Sequence, residues 1–97
     1  MKAHIRSKYV DEECEVTVRT YQDGVTPAII LSDPQTGEQI SHPTACVPGI
    51  PSSHVAVKNY AENEGMLPAL ISASVIDEAI GTIASGRVLL YVCPLKV

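Results

Sequence analysis

The first part of the chain alternates between apolar and polar residues, and turn residues interrupt this alternation. In residues 14–21 one face reads Cys, Val, Val, Thr and the other is mostly polar, a period of two that is typical of a half-buried strand. Residues 22–24 predict a hairpin turn, because glycine supplies the positive φ that tight turns need. Residues 25–31 predict the next strand, and Pro27 is tolerated only near its beginning or on a sheet edge.

The middle and the end of the chain contain shorter apolar runs between turns rich in proline and glycine. The predicted elements are a turn at 32–37, a weak strand at 38–41 that Pro43 limits, a loop at 44–53, a strand at 54–57, a turn at 85–86 and a largely buried last strand at 87–93. Residues 75–84 are compatible with a helical turn or with an extended segment.

Residues 58–73 contain the one amphipathic helix that the sequence predicts. Asn63 is the predicted N-cap, and Glu64 follows in the first turn, where the helix dipole favours a negative charge. Pro68 then falls early in the helix, where a missing N–H matters least. The predicted apolar face is formed at helical spacing by Leu67, Leu70, Ile71 and Ser74.

These elements predict one domain, residues 1–97, of the α+β class. The prediction is a single antiparallel β-sheet of four to five strands with one main helix packed on one face, and a small open barrel is the alternative. The chain has four Tyr but no Phe and no Trp, so its core has to be built from aliphatic side chains. A content of 45% hydrophobic and 19% charged residues is typical of a globular chain.

Charge and cysteine content narrow the classes of partner and compartment. The net charge of −4 argues against direct nucleic-acid binding, which requires a basic surface, but allows a protein partner that itself binds nucleic acid. Three widely spaced cysteines without a Cys-x-x-Cys motif predict free thiols in a reducing cytoplasm. No apolar run suggests a signal peptide or a membrane span.

Residues that could hold a metal or a cofactor are few. His42, Cys46 and His54 match no standard zinc spacing, and scattered loop residues are the simpler interpretation. No glycine-rich phosphate loop and no nucleophile elbow occurs, so neither a metal nor a cofactor is predicted. Cys93 lies in an apolar strand and is interpreted as a small core residue.

Two clusters of residues are candidates for partner binding. The acidic run that begins at Asp11 is either a solvated edge or a docking surface for a basic groove. Tyr60, at the junction of strand and helix, either packs over the helix start and hydrogen-bonds to the chain or serves as an aromatic contact. The carboxylates on each side of Asn63 would act in acid–base catalysis only with shifted pKa values, and otherwise are exposed turn residues. The predicted partner-binding residues are Tyr60, Glu62, Asn63 and Glu64, together with Asp11, Glu12 and Glu13.

The string Val-Lys-Asn-Tyr-Ala-Glu-Asn-Glu-Gly-Met at residues 57–66 resembles a motif of a family of small, uncharacterised bacterial proteins. Their pattern is Lys-Asn-Tyr-Ser-Glu-Asn-Glu-Gly-Met, followed by a short helix. The turn at 85–86 and the last strand are also similar to theirs, so that the likeness covers residues 55–95. This sequence departs from the pattern at Ala61, where the family has Ser, and at Pro68, where it has Glu.

Proteins of this family are carried on integrative elements, plasmids and prophages, and the resemblance implies the same mobile origin here. The implied function is a non-enzymatic anti-defence protein, an anti-CRISPR or anti-restriction inhibitor that occludes a host defence protein complex. The alternative is a structural or accessory domain that self-associates, for example as a homodimer, through its sheet edges. An enzyme would need a deep pocket lined by Glu62, Glu64 and either His42 or His54.

Overall fold

The computed structural model describes all 97 residues, which form two four-stranded antiparallel sheets, a 3-10 helix and one α-helix. The first sheet has the order β1 (Lys2–Arg6), β2 (Asp11–Thr20), β3 (Pro27–Ser32), β4 (Gln39–Ser41). The second sheet has the order β5 (Thr44–Ala45), β6 (His54–Lys58), β8 (Val88–Pro94), β7 (Gly81–Ser85). The 3-10 helix (Ala61–Asn63) and α1 (Met66–Ser72) lie between β6 and β7. The predicted α+β class is confirmed, but the predicted single sheet is wrong.

The chain passes from the first sheet to the second at Pro43. Proline has no N–H to continue the ladder with β3, so β4 ends after three residues. Pro43 instead accepts a hydrogen bond from the N–H of Lys58 at 2.8 Å, which directs the chain along β6. The buried hydroxyl of Thr44 accepts the N–H of Ile29 at 3.2 Å and so satisfies the part of β3 that β4 does not reach. The predicted loop at 44–53 therefore begins with the short strand β5.

The core is aliphatic and is shared by both sheets and the helix. Its main cluster contains fourteen buried residues, which are Ile5, Val10, Cys14, Val16, Ile29, Leu31, Val55, Val57, Met66, Ala69, Leu70, Val75, Ile76 and Cys93. The predicted strands at 14–21, 25–31, 54–57 and 87–93 correspond to β2, β3, β6 and β8. Residues of both sheets and of α1 therefore enclose this one cluster, and β6 buries the three consecutive residues Val55, Ala56 and Val57.

The helix begins later than the sequence predicts. Its N-cap is Gly65, with a left-handed φ of 84°, whereas Asn63 is the buried last residue of the 3-10 helix. The side chain of Asn59 caps the start of the helix instead, because its Oδ1 accepts the N–H of Leu67 at 2.9 Å. Pro68 is the third residue of α1, which confirms its predicted early position.

The face that the helix buries also differs from the predicted one. Met66, Ala69 and Leu70 are buried, while Leu67 is only half-buried and Ser74 lies exposed beyond the end of the helix. No helix follows in residues 77–80, and the extended alternative is confirmed by β7. No helix in the structure combines the length and the apolar character required to span a membrane.

Replacement of Gly65 by alanine tests the close approach of the helix start to the β1–β2 connection. A Cβ at Gly65 would lie 3.1 Å from the backbone N of Lys8, whereas one at Gly86 would meet nothing within 4 Å. Both glycines have positive φ, so both variants lose about 1–2 kcal/mol from backbone strain. We expect Gly65→Ala to lower the free energy of unfolding, measured with urea, by more than Gly86→Ala does. Equal losses would contradict a close contact at Gly65.

Candidate functional site

A groove of about 380 Å³ opens where the first sheet meets the segment that follows β6. It is lined by Tyr9, Val10, Glu12, Gln39, Ile40, Ser41, His42, Lys58, Glu62 and Asn63. These residues come from the β1–β2 connection, the start of β2, β4, the end of β6 and the 3-10 helix. The lining contains two carboxylates and one ammonium group, so the groove is polar and slightly acidic when histidine is neutral.

Asn63 is the most buried polar residue of the groove. It is 1% exposed, and its Oδ1 accepts a hydrogen bond from the hydroxyl of Ser41 at 2.6 Å. Its Nδ2 forms no hydrogen bond within the chain, and Asn63 contributes to the lining of the groove. The Ser41–Asn63 bond therefore joins the first sheet to the 3-10 helix.

The backbone conformation before Asn63 explains why Glu62 is exposed while its neighbour Asn63 is buried. Ala61 has a φ of 52°, a left-handed conformation that is unfavourable for a residue with a side chain. The N–H of Asn63 then donates to the carbonyl of Tyr60 at 2.9 Å and closes the 3-10 turn. This tight turn leaves Glu62 exposed at the groove while Asn63 enters the interior.

The acidic run on β2 does not form one patch. Successive side chains of a strand point to opposite faces, and Glu12 pairs with the core residue Ile5 while Glu13 pairs with His4. Glu12 reaches the groove, whereas Asp11 and Glu13 lie on the outer face of the sheet. The predicted group of three carboxylates is therefore divided, and only Glu12 joins Glu62.

The carboxylate of Asp11 is already engaged by its own sheet. Its Oδ1 accepts a hydrogen bond from Nε2 of His4 at 2.6 Å and lies 3.5 Å from Nε of Arg6. The hydrogen bond from His4 is the main reason that the pKa of Asp11 lies below its ordinary value. The outer face is thus partly neutralised across the β1–β2 pair.

Two further predicted residues lie near the groove without lining it. Glu64 is exposed, and its Oε2 lies 3.2 Å from Nζ of Lys8. Tyr60 is half-buried, and its hydroxyl makes no hydrogen bond within the chain, so the predicted hydrogen bond back to the chain is absent. Tyr9, which the sequence does not single out, is 64% exposed at the groove, with the ammonium of Lys8 5.4 Å from its ring centroid.

The sequence also gives no sign of a partly buried polar cluster beside the groove. The hydroxyl of Tyr21 is 2.9 Å from Nε2 of His42 and 3.0 Å from Oγ1 of Thr44, and the Tyr21 and His42 rings stack. Burial, together with the charge of Lys58, lowers the pKa of His42, and burial raises the pKa of Tyr21. No local pattern connects Tyr21 with His42 and Thr44, because these residues lie 21 and 23 positions from it along the chain.

The structure does not bring the cysteines and histidines together. No group of three or more His, Cys, Asp or Glu side chains is arranged to hold a metal ion, and this includes His42, Cys46 and His54. Cys46 is exposed, whereas Cys14 and Cys93 are buried. Burial raises the pKa of the Cys93 thiol to about 11, as is typical of an inert core thiol.

Comparison of the chain with models of protein families, with curated proteins and with solved structures finds no match. The groove at Asn63 is therefore characterised by its own geometry and chemistry. Its polar lining and its two carboxylates are suited to recognition of a polar partner segment.

A double-mutant cycle on Ser41 and Asn63 tests the bond that holds the groove together. Ser41→Ala leaves a buried amide oxygen without its donor, so we expect a loss of about 1–3 kcal/mol in the free energy of unfolding. The double variant with Asn63→Ala should lose less than the two single losses together, by about 1 kcal/mol. Urea denaturation measures all four proteins, and strict additivity would contradict direct coupling.

The lowered pKa of His42 predicts a loss of stability in mild acid. The unfolded chain binds a proton at the ordinary histidine pKa of about 6.5, whereas folded His42 does so only at lower pH. The unfolded state therefore binds more protons as the pH falls through this range, and stability decreases. We expect the urea midpoint to fall between pH 7.5 and 5.5, and to fall less in His42→Asn. An identical pH dependence in both proteins would rule out this contribution.

Proposed function

We propose that this chain is a small non-enzymatic protein-binding inhibitor and that it binds its partner through the groove between Glu12 and Glu62. The supporting observation is that these two carboxylates, from β2 and from the 3-10 helix, line the same groove beside the buried Asn63. Neither carboxylate forms a salt bridge within the chain, so both can accept hydrogen bonds from a partner. The exposed ring of Tyr9 adds an aromatic contact of the kind enriched in interfaces.

The chemistry of the groove favours a partner segment that presents arginine or lysine. A guanidinium donates several hydrogen bonds in one plane and pairs well with carboxylates. Lys58 adds a donor to the same groove, so an acceptor beside the basic group of the partner would also be satisfied. This mixture favours a specific segment over general attraction between opposite net charges.

We further propose that the target is a host defence complex, of the CRISPR or restriction type, and that the protein originates from a mobile element or prophage. This step depends on the resemblance of residues 57–66 to proteins of such elements. Defence complexes hold nucleic acid in basic channels, and an acidic protein bound there would exclude the phosphate backbone. Tyr60 and Glu64, adjacent to the groove, would enlarge the contact in this arrangement.

The arrangement of the polar residues favours binding of a partner over catalysis. Of the residues that a catalytic pocket was expected to combine, Glu62 and His42 line the groove, while Glu64 is paired with Lys8. Nε2 of His42 is within hydrogen-bond distance of the hydroxyl of Tyr21, which holds the ring in the partly buried cluster. The outer face of β2 is a weaker docking surface, because Asp11 is paired with Arg6 and His4.

Charge reversal in the groove tests this proposal. Tagged protein is used to capture partners from a host lysate, and the dissociation constant for the retained complex is then measured. Glu12→Lys and Glu62→Lys should each weaken binding by about tenfold or more, because each replaces an attractive charge by a repulsive one. Glu38→Lys is the matched control, since Glu38 is exposed in the β3–β4 turn and does not line the groove.

The stoichiometry of inhibition separates occlusion from catalysis. Under occlusion, nuclease activity of the captured complex falls linearly and is lost near one equivalent of inhibitor per complex. Complete inhibition by a small fraction of an equivalent would indicate turnover. Binding that is unchanged in both groove variants would exclude the groove as the contact surface.

A further inference from the structure

The second sheet ends in a strand that lacks the usual protection of an edge. β7 has no neighbour on its outer side, and its sequence Gly-Thr-Ile-Ala-Ser contains no charged residue and no proline. Every residue of β7 is exposed except Ile83, which is half-buried. Natural edge strands commonly carry charges, prolines or bulges that prevent pairing with another chain, and β7 carries neither of the first two.

The other three edges are protected or too short. On β1 the exposed residues Lys2, His4 and Arg6 place a basic or titratable side chain at every second position, and α1 packs beside this strand. β4 has three residues and an irregular register with β3, and β5 has only two residues. β7 is therefore the edge best able to accept another strand.

The hairpin turn determines which backbone groups of β7 face outward. Only Gly86 and Arg87 separate the paired residues Ser85 and Val88, and in such two-residue turns the closing pair is hydrogen-bonded. Hydrogen-bonded and non-hydrogen-bonded pairs then alternate along β7. The N–H and C=O groups of Thr82 and Ala84 consequently point away from β8 towards the open edge.

We propose that β7 pairs antiparallel with β7 of a second copy of this chain and forms a homodimer with a continuous eight-stranded sheet. The two-fold axis passes at Ile83. In this register Thr82 exchanges both backbone hydrogen bonds with Ala84 of the partner subunit, and symmetry repeats the exchange. Ile83 faces Ile83 of the partner subunit as a close pair, which buries two apolar side chains.

Charges next to the strand favour this antiparallel arrangement. Asp77 and Glu78 precede β7, and Arg87 follows it. When the two strands run in opposite directions, Arg87 of one copy lies at the same end of the interface as Asp77 and Glu78 of the partner subunit, and symmetry repeats this at the other end. A parallel arrangement would place like charges together.

This inference is independent of the proposed inhibitory function. None of the residues that line the groove belongs to β7 or β8. The dimer therefore presents two grooves, and each remains open to a partner.

Sedimentation velocity over a range of protein concentrations tests the dimer. We expect the wild-type mass to rise from that of a monomer to that of a dimer. Ile83→Lys places two ammonium groups together on the axis and should raise the dissociation constant by about tenfold or more, which corresponds to about 1.4 kcal/mol. Val18→Lys is the matched control, because Val18 is an exposed strand residue of the first sheet.

A charge exchange tests the antiparallel orientation and remains informative if Ile83→Lys does not fold. Arg87→Glu and Glu78→Lys should each weaken the dimer, and the two together should restore it. A wild-type protein that stays monomeric at all concentrations would overturn the inference. A dimer that is unaffected by Ile83→Lys and by both charge variants would place the interface elsewhere. Neither result bears on the groove, so the groove variants still test partner binding separately.

Discussion

The hydrogen bond between Ser41 and Asn63 is the contact on which the groove depends. It joins the last strand of the first sheet to the 3-10 helix, and both of its residues are buried. Because burial strengthens such a bond and makes its loss costly, the 3-10 helix is held in one position. Glu62 is consequently fixed at the edge of the groove, opposite Glu12, even though fifty residues separate the two along the chain.

The core draws on residues of both sheets and of α1. The chain has no Phe and no Trp, so its fully buried apolar area comes from many smaller side chains on several elements. Two sheets and α1 surround the cluster that contains Leu70, Val55 and Ile29. The chain passes from the first sheet to the second at Pro43, whose carbonyl accepts the N–H of Lys58. Next to this turn, the ring of His42 contacts the hydroxyl of Tyr21.

The two asparagines near the helix show where local reasoning succeeds and where it fails. A capping asparagine at the start of α1 is a sound expectation, and the structure contains one. Asn59 performs this task, while Asn63, which is the better candidate by position, is buried on Ser41. Both residues have the same local chemistry, so only the packing of the 3-10 helix against β4 distinguishes them.

By itself, the sequence determined the main strands, the turns between them and the aliphatic nature of the core. These features follow from period-two alternation, from the backbone preferences of glycine and proline, and from composition, all of which act over a few residues. Only the tertiary structure decided the division into two sheets and the meeting of Glu12 with Glu62 in the groove. Both depend on contacts between residues that are distant along the chain, and no local pattern encodes such contacts.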